Sequence, residues 1–200
     1  MKLISADASP FARKVRVLLL EAGLADQVEV VSVTTTPFAT DPQVASANPL
    51  GKLPALLRNE GPALYDSRVI TRYLDDMAGA GLYPSARLWE VLTLEATADA
   101  VMEAALLMVY EHRVRPVEKV SDDWIEAQWA KAARALDAIE ARWMSHLSGP
   151  LDMGQIAVGC ALSYLDFRLG DRDWRAGHRA LAEWHETFAA RESMAATVPE

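Results

Sequence analysis

The sequence predicts an α/β domain built on a small mixed sheet, followed by an all-α bundle. Three observations carry that prediction. Seven of the ten prolines lie at or before Pro84, whereas all six tryptophans lie at or after Trp89. Strand-like and helix-like segments alternate up to Met77. Beyond Pro84 the apolar residues follow helical spacing, and residues 86–113 contain neither proline nor glycine.

Lys2 to Ser5 is a short strand candidate. Ser9-Pro10 then starts a helix, with serine as N-cap and proline at the first helical position, where no N–H is missed. Phe11, Val15, Leu18, Leu19 and Ala22 form one apolar face, and Gly23 is a suitable stop. Val28 to Val33 is β-branched and strand-like. Residues 34–50 hold four threonines, three prolines and Asn48, and read as an irregular connection with room for a short helix. Ala55 to Leu57 and Ala63 to Tyr65 flank Asn59-Glu60-Gly61-Pro62, a hairpin signal that brings the sheet to four strands. A helix beginning at Asp66-Ser67 is expected to bury Val69, Ile70, Tyr73, Leu74 and Met77.

Ala78-Gly79-Ala80-Gly81 is free of charge and reads as a linker. The expected organisation is therefore a first domain at 1–77, a linker at 78–84 and a helical domain at 85–200. In the latter, Ile125, Trp129, Ala132, Leu136, Ile139 and Trp143 alternate four and three apart, a bundle-facing seam. Asp152 with Gln155 makes a variant capping box for a helix through Arg168, in which glutamine is expected to reach back to the cap. Residues 177–191 supply a further helix.

A formal net charge of −8 disfavours sequence-independent nucleic-acid binding, which depends on neutralising phosphates. The longest apolar run, Ala104 to Tyr110, is far short of the ~20 residues that span a bilayer. No charged-then-apolar leader opens the chain, and a single cysteine, Cys160, excludes an internal disulfide and a Cys-rich zinc site. A cytoplasmic protein is expected. His112, His146, His178 and His185 have no metal-ligand spacing, and His178 and His185 are expected at the surface.

Three local features could carry chemistry. Ser9-Pro10-Phe11-Ala12-Arg13-Lys14-Val15-Arg16 joins a strand to a helix N-terminus, where free N–H groups favour an anion and three basic residues stand close in sequence. Asn48-Pro49-Leu50-Gly51-Lys52-Leu53-Pro54 ends in a proline just before a strand. A cis bond there would turn the Leu53 backbone outward to pair with an extended peptide-like ligand. Asp66-Ser67 opens a helix, and could receive an ammonium group on the carboxylate and a carboxylate on the hydroxyl and amides. Each alone is compatible with an ordinary cap or loop.

In this order, over essentially the whole chain, the three features resemble the glutathione S-transferase superfamily. The resemblance implies a thioredoxin-like N-terminal domain with a mixed four-stranded sheet, a cis bond before Pro54, and an all-helical second domain with Ile156 to Arg168 at its core. It implies that Leu53 pairs its main chain with the cysteinyl part of glutathione next to Pro54, and that Asp66 and Ser67 hold the γ-glutamyl end. Lys52 or a polar residue of the Thr34–Thr40 loop would meet the glycyl carboxylate. Ser9 would sit beside the sulfur, with Phe11 close by. The second substrate, a small and largely apolar electrophile, would lie between the domains against Phe11, Met108, Tyr110 and Arg113. Glutathione is the co-substrate, no metal is implied, and a homodimer acting in detoxification is expected. Two positions depart from the family pattern: Gly154-Gln155 stands where Ala-Asp is usual, and Arg191-Glu192-Ser193 where Arg-Pro-Ser is frequent.

Ser9 also separates reaction types. The Cys-Pro-x-Cys frame of related glutaredoxins reads Ser9-Pro10-Phe11-Ala12 here, so exchange through an enzyme cysteine is disfavoured. Activation of the ligand's own thiol remains. A thiol of pKa ~8.5 is only about 3% ionised at pH 7, and lowering the pKa by ~2 units raises that roughly 25-fold. Reduced nucleophilicity takes back roughly eightfold of this, leaving about threefold, so positioning of the second substrate must supply most of any large rate. The expected function is thus a glutathione transferase, with Ser9 donating a hydrogen bond to the thiolate. The alternatives are a non-catalytic binding or interaction module of the same fold, and a glutathione-dependent isomerase or reductase.

Overall fold

The computed structural model describes residues 1–199 and divides into two compact units. One comprises Met1–Leu88 together with the C-terminal residues from Glu192, and the other is Trp89–Arg191. The first unit thus includes residues 78–84 and the C-terminal segment.

In the first unit, strand β1 (Lys2–Ser5) lies between β2 (Glu29–Ser32) and β3 (Ala55–Leu57). β1 pairs parallel with β2, Leu3 opposite Val30, and antiparallel with β3, Leu3 opposite Leu56. The parallel pair needs a crossover, which helix α1 (Pro10–Glu21) provides. The sheet has three strands rather than four. The expected Ala63–Tyr65 strand is reduced to a single bridge between Leu56 and Leu64. Its continuation is cut off because α3 (Ser67–Ala78) begins two residues after Tyr65.

Short helix α2 (Pro42–Ala47) completes the connection before β3, capped by Asp41 on the Gln43 N–H at 2.8 Å. Its Val44 and Ala47 pack with Ile4 and Ala55 in a buried cluster on one face of the sheet. Helix α3 buries Ile70, Thr71, Leu74 and Asp75, while Val69 and Met77 stay 46% and 40% exposed, contrary to expectation. Internal hydrogen-bond partners explain this rotation. The Thr71 hydroxyl meets the Tyr83 hydroxyl at 2.7 Å, and Asp75 accepts from the N–H groups of Leu82 and Tyr83. Two polar side chains satisfied inside let the inward face take them in place of valine and methionine.

The second unit is helical: α4 (Leu88–Val114, its first residue in the other unit), α5 (Asp122–Arg142), α6 (Met144–Leu147), α7 (Met153–Arg168) and α8 (Arg179–Ala189). A final turn, α9 (Glu192–Ala195), belongs to the first unit and packs on α1. Along α5 the seam buries Ile125, Ala132, Leu136 and Ile139, with Gln128 in place of Trp129. Asp152 caps α7 through the Gln155 N–H at 3.2 Å. The Gln155 amide does not reach back to the cap; it donates to the carbonyls of His146, Gly149 and Pro150 and so braces the preceding loop.

His178 and His185 are buried, not at the surface as expected. Both have polar partners there. The His178 ring contacts the Trp174 carbonyl at 2.6 Å and Asp137 at 3.0 Å, and His185 Nε2 lies 3.0 Å from the Ser163 hydroxyl. A heptad spacing does not reveal such partners, among them Asp137 of α5 and Ser163 of α7.

Candidate functional site

The site expected from sequence falls on the first unit. Ser9 is the N-cap of α1, half-buried, and its Oγ accepts from the Ala12 N–H at 3.3 Å. Pro10 occupies the first turn, so the free N–H groups there belong to the residues that follow. Phe11 is half-buried beside them.

The basic residues that follow Ser9 in sequence lie in different surroundings. Arg13 is only 4% exposed and donates to the Thr197 hydroxyl at 3.3 Å and the Met194 carbonyl at 2.9 Å. It thereby holds the C-terminal segment to α1. Lys14 is fully buried, and Arg16 pairs with Asp7 at 3.1 Å. On a helix, successive residues point around the axis, so charges close in sequence reach different surroundings.

The second element is the turn before β3. The Leu53–Pro54 bond is cis. Asn48, almost fully buried, braces the turn from both sides: its Nδ2 donates to the Lys52 carbonyl at 2.9 Å and its Oδ1 accepts from the Leu50 N–H at 3.0 Å. Gly51 adopts φ +64°, and a Cβ there would lie 3.0 Å from Thr40 Cγ2. The Thr34–Thr40 loop therefore lies directly against the turn. Leu53 stands outside the sheet ladder, whose register with β1 begins at Ala55. Lys52 is exposed and Pro54 buried.

The third element is the start of α3. Asp66 is its exposed N-cap and accepts from the Arg68 N–H at 3.1 Å, leaving its second carboxylate oxygen available. Ser67, in the first turn, is buried. The Tyr65–Asp66 bond is also cis. Thus two helix N-termini and a cis-proline turn are presented by the same small unit, a set suited to an anionic, peptide-like molecule.

Of the residues expected in the helical unit, Met108 is buried, Tyr110 half-buried and Arg113 exposed on α4. Cys160 is fully buried in α7. No group of three or more potential metal ligands occurs among the described residues. One neighbour of the turn was not singled out by itself from sequence: Thr40, at the end of the expected Thr34–Thr40 loop, which reveals itself only through its approach to Gly51.

The fold and site define a thioredoxin-like unit joined to an all-α unit, and known proteins carry the same combination. Residues 8–77 match the family model of the glutathione S-transferase N-terminal domain, and residues 122–187 that of its C-terminal domain. The uncharacterized GST-like protein YibF of Escherichia coli is 35% identical over 204 residues, covering 100% of this chain and 98% of that protein. A glutathione transferase family member from Pseudomonas fluorescens Pf-5, crystallised with bound glutathione, is 42% identical with a TM-score of 0.97, covering 100% of this chain and 98% of its own. A second structure from that source holds S-(propanoic acid)-glutathione, with 41% identity, a TM-score of 0.92 and full coverage of both chains. The chain belongs to the glutathione S-transferase superfamily.

Proposed function

We propose that the protein is a glutathione transferase whose bound thiolate attacks a small electrophile. The observation that carries this reading is the Leu53–Pro54 turn, braced by Asn48, with Leu53 outside the ladder. There its main chain can add the cysteinyl segment of glutathione as a short extra strand. Asp66 and Ser67 at the N-terminus of α3 then take the γ-glutamyl ammonium and carboxylate, and Lys52 or Thr40 the glycyl carboxylate. Glutathione bound in a relative 42% identical over the whole chain supports the assignment.

Ser9 is the group we assign to the sulfur. Its hydroxyl accepts the Ala12 N–H, so its own proton is free to be donated to a thiolate. That hydrogen bond favours the charged form and lowers the thiol pKa. We further propose a cytoplasmic homodimer with a detoxifying role. An apolar groove along α4 and α5, lined by Trp89, Leu92, Ala96, Ala100 and Ala135, supports the dimer, as Trp89 is 75% exposed. No described helix is long and apolar enough to cross a membrane.

Calorimetric titration with glutathione tests the reading. Saturable binding below millimolar ligand supports it, and no binding at millimolar concentrations sinks it. Turnover against a panel of electrophiles then separates an enzyme from a binding module. Light scattering should give twice the 21.9 kDa chain mass.

A further inference from the structure

A second serine, far from Ser9 in sequence and inside the helical unit, has a base beside it. Ser163 lies in α7, half-buried, and its Oγ stands 3.0 Å from Nε2 of His185 in α8. The other ring nitrogen, Nδ1, faces Asp166 Oδ2 at 3.9 Å. Asp166 is held in turn, because Trp174 Nε1 donates to its Oδ1 at 2.7 Å and Arg175 donates to its Oδ2 at 2.8 Å. All of these residues belong to the same compact unit.

The surroundings fix how the imidazole sits. His185 is only 4% exposed, and the Trp174 ring meets it edge to face with centroids 5.6 Å apart. An ionised carboxylate offers no donor, so the side facing Asp166 favours the ring proton on Nδ1 and leaves the Nε2 lone pair toward the serine. Ser163 then donates its hydroxyl proton to Nε2. This order of hydroxyl, ring and carboxylate is the one that activates a serine for attack, and the partial exposure of Ser163 lets a small molecule reach it.

We propose that Ser163 is a nucleophile that takes an acyl group from small aryl esters, with His185 as its base and Asp166 positioning that base, a chemistry independent of the glutathione reading. In the step, the Ser163 oxygen forms a bond to the acyl carbon and its proton passes to His185 Nε2. The bond from the acyl carbon to the aryloxy oxygen breaks, and the phenolate leaves with the electron pair. Asp166 stabilises the imidazolium, which then gives its proton to water. The helix limits the reaction. Around Ser163 the main-chain N–H groups of α7 are spent on carbonyls four residues back and do not serve an oxyanion. Only an ester with a stable leaving group should therefore react. The acyl group should stay on the serine, giving a burst without sustained turnover.

The test mixes the full chain, without glutathione, with p-nitrophenyl acetate and follows both nitrophenolate release and the site of acetylation by peptide mass spectrometry. A stoichiometric burst with the acetyl group on Ser163 is expected. Ser163→Ala should abolish the burst, and His185→Gln should slow it about a hundredfold, the low end for loss of a general base. Asp166→Asn should slow it as well, whereas Asp166→Glu, which keeps the charge, should recover most of the rate. A purely structural role for Asp166 would not give that order. Acetyl groups on lysines but none on Ser163 of the wild-type protein overturn the proposal, and this arm needs no variant to fold. A burst retained in Ser163→Ala, or at full rate in a folded His185→Gln, overturns it too. Glutathione binding measured in parallel is a separate readout, so failure of either reading leaves the other standing.

Discussion

The carboxylate of Asp75, on the inner face of α3, accepts from the main-chain N–H of Leu82 at 2.7 Å. Its other oxygen takes the Tyr83 N–H at 3.3 Å. A segment with the composition of a loose tether, Ala78 to Gly81, is thereby followed at once by an anchored turn, with Leu82 and Tyr83 both buried.

Removal of that anchor should be expensive. Asp75→Ala leaves two buried N–H groups without an acceptor and should cost ~2–3 kcal/mol, since hydrogen bonds to charged groups sit at the strong end of the range. Asp75→Asn keeps one acceptor and should cost about half as much. Urea denaturation with an unchanged slope checks both values.

Ser9 caps α1 and, in the function proposed above, donates to the thiolate, and substitutions can separate the two. Ser9→Ala removes the α1 cap and should lower stability by ~1 kcal/mol. If it also removes the donor to the thiolate, the rate at pH 7 should fall only about threefold, because pKa and nucleophilicity move together. The sharper readout is the pH–rate profile. Loss of the donor raises the pKa of bound glutathione, so the rise in kcat/KM should move to higher pH. An unmoved profile in a folded Ser9→Ala variant would take Ser9 out of the chemistry.

Gly51 links backbone geometry to ligand affinity. At φ +64°, with Thr40 Cγ2 only 3.0 Å from the point an added Cβ would occupy, Gly51→Ala meets both torsional and steric resistance. A loss of ~1–2 kcal/mol in stability is expected from the torsion alone. The turn that Gly51 shapes presents Leu53, so glutathione affinity should fall in parallel. Stability lost with affinity retained would show that the turn does not position the ligand.

Asp166 gives the acid limb of stability. Burial tends to raise its pKa, but the hydrogen bonds from Arg175 and Trp174 and the Arg175 charge outweigh it and hold the carboxyl below its ordinary value. A carboxyl depressed in the folded state binds fewer protons there than in the unfolded chain. Its contribution is therefore present above the ordinary Asp pKa of ~3.9 and is lost as pH falls through the lower folded value. Asp166→Asn should flatten the decline of melting temperature in that acid window and leave the slope near pH 7 unchanged.

The helix starts were legible because they depend on local chemistry. Ser9 before Pro10, Asp66 and Asp152 are caps that work through groups two or three residues away. The same holds for the Leu53–Pro54 turn, whose brace, Asn48, lies within the motif itself. Errors arose where burial depends on distant partners. Val69 and Met77 looked inward by helical spacing, yet Thr71 and Asp75 took that face because Leu82 and Tyr83 lie beyond it. Arg13 stands close in sequence to the α1 N-terminus, yet its partners are Met194 and Thr197, more than 180 residues away along the chain.

By itself, then, the sequence determined the class of fold, the family and the three motifs of the candidate site, since turns, caps and periodicity are written within a few residues. Tertiary structure alone decided which polar groups are satisfied inside and which are left over. It placed Arg13 on the C-terminal segment, and paired Arg172 with Glu126 of α5. Charge pairing is a property of proximity in space, and spacing along a chain does not encode it across helices some fifty residues apart.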